Sequence, residues 1–283
     1  MDAQLLGALC SPPVLALLGL CIGSFLNVVI HRLPLMLERG WKLESADLLG
    51  VKVDEPDAIT LARPRSRCPS CGHAIAWHEN IPVLSWMWLR GRCSACKTRI
   101  SARYPFIEIL TGVLFALVGW RFGATPTALL WCGFVAVLVA LAGIDWDTTF
   151  LPDNLTLPLL WAGLVAAALG WTIPLSDSVW GAVAGYLSLW GVYWLFKLTT
   201  GKEGMGFGDF KLLAALGAWL GLKMVLPVVL GASVIGAVVG IVMKLSANLR
   251  EGRYVPFGPF LAGAGLAVML AGPNRVLDWL GWV

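Results

Sequence analysis

Charge is what this sequence has least of. Only 13% of its 283 residues are Asp, Glu, Lys or Arg, where a soluble domain carries roughly 25%. With 58% hydrophobic residues and a mean hydropathy of +0.77, this scarcity excludes a soluble globular domain. A chain that spans a bilayer several times must satisfy its backbone within helices, so the fold class is an all-α polytopic membrane protein. The opening "MDAQLLGALC" lacks the basic n-region of a cleaved signal. The apolar run that follows is long enough to span, and reads as a first transmembrane helix. No internal repeat or low-complexity tract is evident by eye. That argues against the paired, broken repeats of a secondary transporter.

Apolar segments of about 16–20 residues lie near 12–30, 105–120, 125–144, 154–173, 178–196, 224–243 and 257–272. One more, 210–222, is short for a bilayer that needs ~20 residues. It fits a tilted, re-entrant or neighbour-shielded helix, which makes about eight transmembrane helices. The C-terminal "PNRVLDWLGWV" is short and tryptophan-rich, and suits a membrane interface.

Basic residues orient the chain. The segment from Arg32 to Arg103 holds 12 of the 21 lysines and arginines. Alternating spans add Lys197, Lys202, Lys211, Lys244, Arg250 and Arg253 to that side and leave Arg121, Lys223 and Arg275 on the other, 18 against 3. The positive-inside rule then makes the long loop cytoplasmic and both termini external. The net charge of +4 is mostly this bias and calls for no nucleic acid. The layout is a first helix (1–32), a polar cytoplasmic loop (33–104) and a membrane core (105–283).

Within the loop, Cys68 and Cys71 form one C-x-x-C and Cys93 and Cys96 another, with 21 residues between the pairs. This is one residue beyond the usual C-x₂-C-x₁₅₋₂₀-C-x₂-C zinc spacing. Four thiolates suit a closed, structural zinc site. The alternative is two disulfides, which a reducing cytoplasm disfavours. His73 and His78 read as exposed loop residues beside a complete sulfur set. Cys10, Cys21 and Cys132 read as small hydrophobes.

Two acidic stretches interrupt the apolar body. "GMGFGDFKLL" opens a helix with Asp209 and Lys211, and "GIDWDTTFLPDNLTL" closes the 125–144 span with Asp145, Asp147 and Asp153. Charge topology places both at the cytoplasmic face, although Asp145 and Asp209 are 64 residues apart. Ionisable groups at membrane depth face the protein interior or a watery cavity. Two carboxylates brought together share a proton, so one can activate water while the other protonates a leaving amide. Gly206 and Gly208 clear space beside Asp209 for a substrate backbone or a partner helix. The alternative is that Asp209 is an N-cap in a glycine loop, with Asp147 and Asp153 solvated at the interface.

"GFGD" (206–209), "IDWDTTFLPD" (144–153), the double C-x-x-C loop, "GSFLNVVIHRLP" (23–34) and "WHENIPVLSWMWLRGRCSACKTRISARYPFIE" (77–108) occur together and in order. Over nearly its whole length the chain resembles the bacterial prepilin peptidases, the type IV prepilin-like leader peptidase/N-methyltransferase family. The resemblance implies a multi-pass aspartic protease of the GxGD class in the bacterial inner membrane, with loop and active site cytoplasmic and both termini periplasmic. It implies cleavage of the basic leader of type IV prepilins or type II secretion pseudopilins. Methylation of the new N-terminus with S-adenosylmethionine follows. Its partners are those substrates and membrane lipid. Carried onto this chain, the catalytic aspartates are Asp209 and Asp145, the latter seven residues before Pro152, with Asp147 as fallback. Gly206 and Gly208 support Asp209. Cys68, Cys71, Cys93 and Cys96 hold structural zinc. No G-x-G-x-x-G loop is present, so a methyl-donor site is unlike a Rossmann fold. Glu79, Asn80, Arg90, Gly91, Arg103 and Glu108 match polar or turn positions of the family loop and stand as candidate cofactor residues. An ion-coupled transporter relaying protons through Asp145 and Asp209, and a non-enzymatic secretion-assembly factor, are the competing readings.

Overall fold

A computed structural model describes residues 7–52, 58–123, 125–245 and 255–282. Arg250 and Arg253, used above for orientation, lie outside them. Among the described residues there is no strand, only two isolated antiparallel bridges, Arg67 with Ala74 and Arg92 with Arg99. The chain divides into two units, Met1–Ala140 and Leu141–Val283.

In the first unit, α1 (Pro12–Leu49) packs along α3 (Arg103–Phe122). Between them lie the short 3-10 turn Trp77–Asn80, the short helix α2 (Leu84–Trp88) and the cysteine loops. Proline at the start of α1 suits a position whose N–H has no helical partner, and Gly50 closes the helix in the left-handed conformation. At about 1.5 Å per residue α1 is about 57 Å long, against about 30 Å of hydrocarbon. It therefore runs on, through Pro34, well past the span expected to end near residue 30. Small residues allow α1 and α3 to touch. A Cβ on Gly19 would lie 2.7 Å from the Thr111 carbonyl oxygen, and one on Gly23 2.7 Å from the Glu108 Cα. This is the close approach that drives helix pairing where no hydrophobic effect separates helix from lipid. Asn27 Nδ2 adds a hydrogen bond to the Tyr104 carbonyl at 3.1 Å.

The unit boundary falls within α4 (Pro126–Thr148). The second unit continues with α5 (Asp153–Ala168), α6 (Leu175–Thr200), α7 (Phe207–Leu220), α8 (Leu222–Leu245), α9 (Gly258–Ala271) and α10 (Pro273–Leu280). Its centre is α7, which packs against α5, α6, α8 and α9. From Asp209 to Leu220 every residue of α7 except Lys211 is buried. The short apolar segment is thus wrapped by its neighbours rather than by lipid. Backbones of α6 and α7 nearly meet, so that a Cβ on Gly217 would overlap the Gly181 carbonyl. Ser178 Oγ donates to the Ala218 carbonyl at 2.7 Å, and Trp219 Nε1 to the Leu159 carbonyl at 2.8 Å. Internal partners of this kind are what polar groups need at membrane depth.

All eight expected apolar segments fall on helices. Among the described residues, five helices (α1, α3, α4, α6 and α8) are long and apolar enough to cross a membrane, or six if α9 and α10, bent by 103°, form one broken span. The segment expected at 154–173 is shorter, because α5 ends at Ala168 and Gly170 turns left-handed.

Candidate active site and metal centre

Each C-x-x-C folds into the same knuckle. Cys68 N–H bonds the His73 carbonyl and Gly72 N–H bonds the Cys68 carbonyl, both at 2.9 Å. Cys93 N–H bonds the Thr98 carbonyl at 2.9 Å and Lys97 N–H the Cys93 carbonyl at 3.1 Å. Gly72 and Lys97 take matching left-handed conformations, φ 72° and 60°. The flanking bridges correspond too, so two turns offset by 25 residues repeat one another. This corrects the expectation of no internal repeat. Reading by eye missed it because "CPSCGHAI" and "CSACKTRI" share little beyond cysteine and the final isoleucine.

The four Sγ atoms lie within 4.8 Å of one another. The pairs Cys68–Cys96 and Cys71–Cys93 are 3.7 and 4.0 Å apart. A disulfide requires about 2.05 Å, whereas Zn–S bonds of about 2.3 Å at tetrahedral angles separate sulfurs by about 3.8 Å. The cluster therefore has the ligand type, number and spacing for zinc. Hydrogen bonding with the Thr98 hydroxyl and backbone lowers the Cys96 thiol to about 6, which favours the thiolate a metal needs. His73 is half-buried rather than simply exposed. Its Nε2 lies 3.3 Å from Glu79 Oε2, and it does not join the sulfur cluster. His78 is exposed, with its ring edge-on to Trp77. Cys10 and Cys132 are buried and Cys21 is exposed.

Beside the knuckles and α1 lies a cavity of about 640 Å³. Of the six loop residues proposed from sequence, Glu79, Asn80 and Glu108 line it, and Arg90, Gly91 and Arg103 do not. Hydrogen bonds from the Ser94 hydroxyl and the Ala76 amide, with His73 nearby, hold the Glu79 carboxyl down at about 2. Glu108 is buried and accepts the Val83 N–H at 2.8 Å. It thereby anchors a β-branched residue at φ 61°, a conformation rare for such a side chain. Gly91 has a packing role, since a Cβ there would sit 2.8 Å from the Trp86 ring. The sequence reading did not single out Asn27, His31 and Arg32, which bring the polar side of α1 into the cavity wall.

The acids converge in the second unit. Asp145, on the last turn of α4, is 5% exposed, and Asp209, on the first turn of α7, is 8% exposed. Their carboxylates interact electrostatically through space. The N-cap of α7 is Gly206, not Asp209. A Cβ on Gly208 would lie 2.7 Å from Leu151 Cβ, so this glycine admits the turn that follows Asp145. A Cβ on Gly206 would meet Asp209 Oδ2 only at 3.9 Å, an ordinary contact distance. That turn includes Thr149 at φ 52°, an outlying conformation for a β-branched residue. Asp147 is exposed and Asp145 buried, so of the two acids only Asp145 joins Asp209 in the interior. Asp153 is held by Lys211, whose Nζ is 2.7 Å from both carboxylate oxygens. Gly258 was invisible to sequence reading. Its N–H donates to Asp145 Oδ2 at 2.9 Å across a separation of 113 residues.

A buried pair of carboxylates suits shared-proton acid–base chemistry. Comparisons with known proteins agree in direction. The sequence pattern of the family described as Bacterial Peptidase A24 N-terminal domain matches residues 17–122, and that of the Type IV leader peptidase family matches residues 132–241. A Pseudomonas putida protein named prepilin leader peptidase/N-methyltransferase is 53% identical over 255 residues, which cover 90% of this chain and 88% of that one. Proteins of the same name from Stutzerimonas stutzeri and Pseudomonas aeruginosa are 50% and 49% identical, each match covering 93% of this chain and 91% of the relative. No solved structure matches. With relatives this similar over this much of both sequences, the chain belongs to the type IV leader peptidase family.

Proposed function

We propose that this protein is an aspartic endopeptidase of the bacterial inner membrane, acting on type IV prepilins or type II secretion pseudopilins, and that it then methylates the new N-terminus. The observation that carries the peptidase reading is the buried acid pair, Asp145 and Asp209, held at helix ends. One carboxylate takes a proton from water as the water oxygen attacks the scissile carbonyl. The other gives a proton to the amide nitrogen, and the C–N bond breaks. Burial of both acids favours a state in which they share one proton. A positive-inside topology puts these helix ends on the cytoplasmic side, where a basic leader meets its apolar helix. Both termini are then periplasmic.

For methylation, the support is the cavity beside the cysteine knuckles, whose volume suits a small-molecule cofactor. S-adenosylmethionine bound there would supply an activated methyl group. Glu79, Asn80 and Glu108, together with Asn27, His31 and Arg32 from α1, would contact the donor or the incoming amine. Cys68, Cys71, Cys93 and Cys96 would hold zinc in a closed shell, so its role is to fasten the loop and not to bind substrate. In this reading 33–104, with α1 and the start of α3, forms the methyl-transfer region, and the helices from 105 onward carry the peptidase. No observation favours a transporter or an assembly factor. The test is incubation of the purified protein with a prepilin, with and without S-adenosylmethionine, followed by mass spectrometry. Loss of the leader mass is expected in both reactions and a gain of one methyl only in the second. An intact prepilin in both overturns the proposal.

A further inference from the structure

Gly258 sits at the first position of α9, after the N-cap Phe257. Its N–H is one of the helix-start amides that no helical carbonyl can accept. Here it points into the protein, at Asp145 Oδ2, 2.9 Å away and buried. The approach is so close that a Cβ on Gly258 would lie 2.7 Å from Oδ2, 3.1 Å from the carboxyl carbon and 3.2 Å from Leu151 Cδ1. Contacts under about 3.0 Å force something to move, and the carboxylate is the part that would. Leu151 touches the Gly208 position as well. The helix ends of α4, α7 and α9 therefore meet around Asp145, Asp209 and Leu151. Gly258 lies far in sequence from the two acidic motifs, and neither motif implies it.

We infer that Gly258 is a positioning residue for the acid pair, whose backbone amide fixes Asp145 Oδ2 as a hydrogen-bond acceptor and whose missing side chain leaves the carboxylate its place. An amide N–H only donates. One lone pair of Oδ2 is thus committed to Gly258, and proton exchange with water or Asp209 falls to the remaining lone pairs of the Asp145 carboxylate. The position requires glycine for space, not for backbone freedom. A loss of activity on Gly258→Ala would thus follow from the space the carboxylate needs and not from backbone strain. The inference rests on the peptidase reading above.

The test compares Gly258→Ala with Gly263→Ala in the full-length protein. Gly263 lies in the same helix, and a Cβ there meets nothing within 4 Å. Prepilin cleavage is followed as kcat and KM, and thermal unfolding reports the fold. Misplacing a reacting group by about 1 Å costs on the order of 100-fold in rate. The expected result for Gly258→Ala is a fall in kcat of about that size, with KM within about threefold and a wild-type melting temperature. Gly263→Ala should match wild type. Wild-type kcat in Gly258→Ala, or a loss confined to KM, overturns the inference. If Gly258→Ala melts early, Leu151→Ala is added to remove the second clash, and cleavage at the rate of the Leu151→Ala single variant then overturns it too. Asp145→Asn and Asp209→Asn run in parallel. Cleavage by both overturns the peptidase reading itself, whereas inactive Asn variants beside an active Gly258→Ala remove only the role of Gly258.

Discussion

Lys211 holds Asp153 by both carboxylate oxygens at 2.7 Å, tying the N-terminal part of α7 to the first turn of α5. Asp209 lies two residues before Lys211, and the turn carrying Thr149 and Leu151 lies just before Asp153. The ion pair therefore ties together the two segments that carry residues of the acid site. Its side chains are 29% and 50% exposed, and exposed pairs contribute about 1 kcal/mol or less. Lys211→Met and Asp153→Asn should each lower cleavage by no more than about fivefold. The double variant should be no worse than either single, because both remove one interaction. Additive losses in the four-way comparison of rates would show that the two residues act separately.

Asp145→Asn or Asp209→Asn should abolish cleavage while insertion persists, since neither change adds charge to a membrane segment. Asp147→Asn, altering an exposed side chain, should retain most activity. Mass spectrometry of the processed prepilin reads all three. An inactive Asp147→Asn beside an active Asp145→Asn would move the catalytic role to Asp147. Asp209→Asn should still methylate a pre-cleaved pilin, because the cavity residues named for that step are others.

The purified protein should contain about one zinc per chain. Joint replacement of Cys68 and Cys71 by serine should lower the metal content and increase protease sensitivity of the loop, because a structural metal contributes folding energy where it binds. Elemental analysis without zinc, with the four cysteines found as disulfides, would refute both the site and its cytoplasmic placement.

Glu79→Gln should impair methylation more than cleavage and loosen the loop at neutral pH. The sign follows from a carboxyl depressed to about 2 by Ser94, Ala76 and His73. Its stabilising effect is complete above the unfolded value of 4.5 and is lost as pH falls toward about 2. The stability difference between wild type and Glu79→Gln, measured by proteolysis, should therefore shrink as the pH falls from about 4.5 toward 2. A difference unchanged across that window would show that the ionised carboxylate is not what matters.

What the sequence determined by itself was whatever is written in short or rare patterns. Sparse charge set the membrane class, because burial of ionised groups in lipid is costly. The few acids at span ends, Asp145 and Asp209, stood out for the same reason. Paired C-x-x-C motifs are legible because knuckle geometry needs only a few consecutive residues. Tertiary structure decided the rest. Only packing makes the 14-residue α7 the shielded centre of its unit rather than a poor transmembrane span. Glu108 stands in the sequence only as a polar position of the loop motif, whereas the fold sets it against the Val83 amide, a contact across 25 residues. Gly258 looks like one of 32 glycines until α9 sets its free amide against Asp145. Contacts between distant helices leave no periodicity in the chain, because what selects them is the shape of the surfaces that meet.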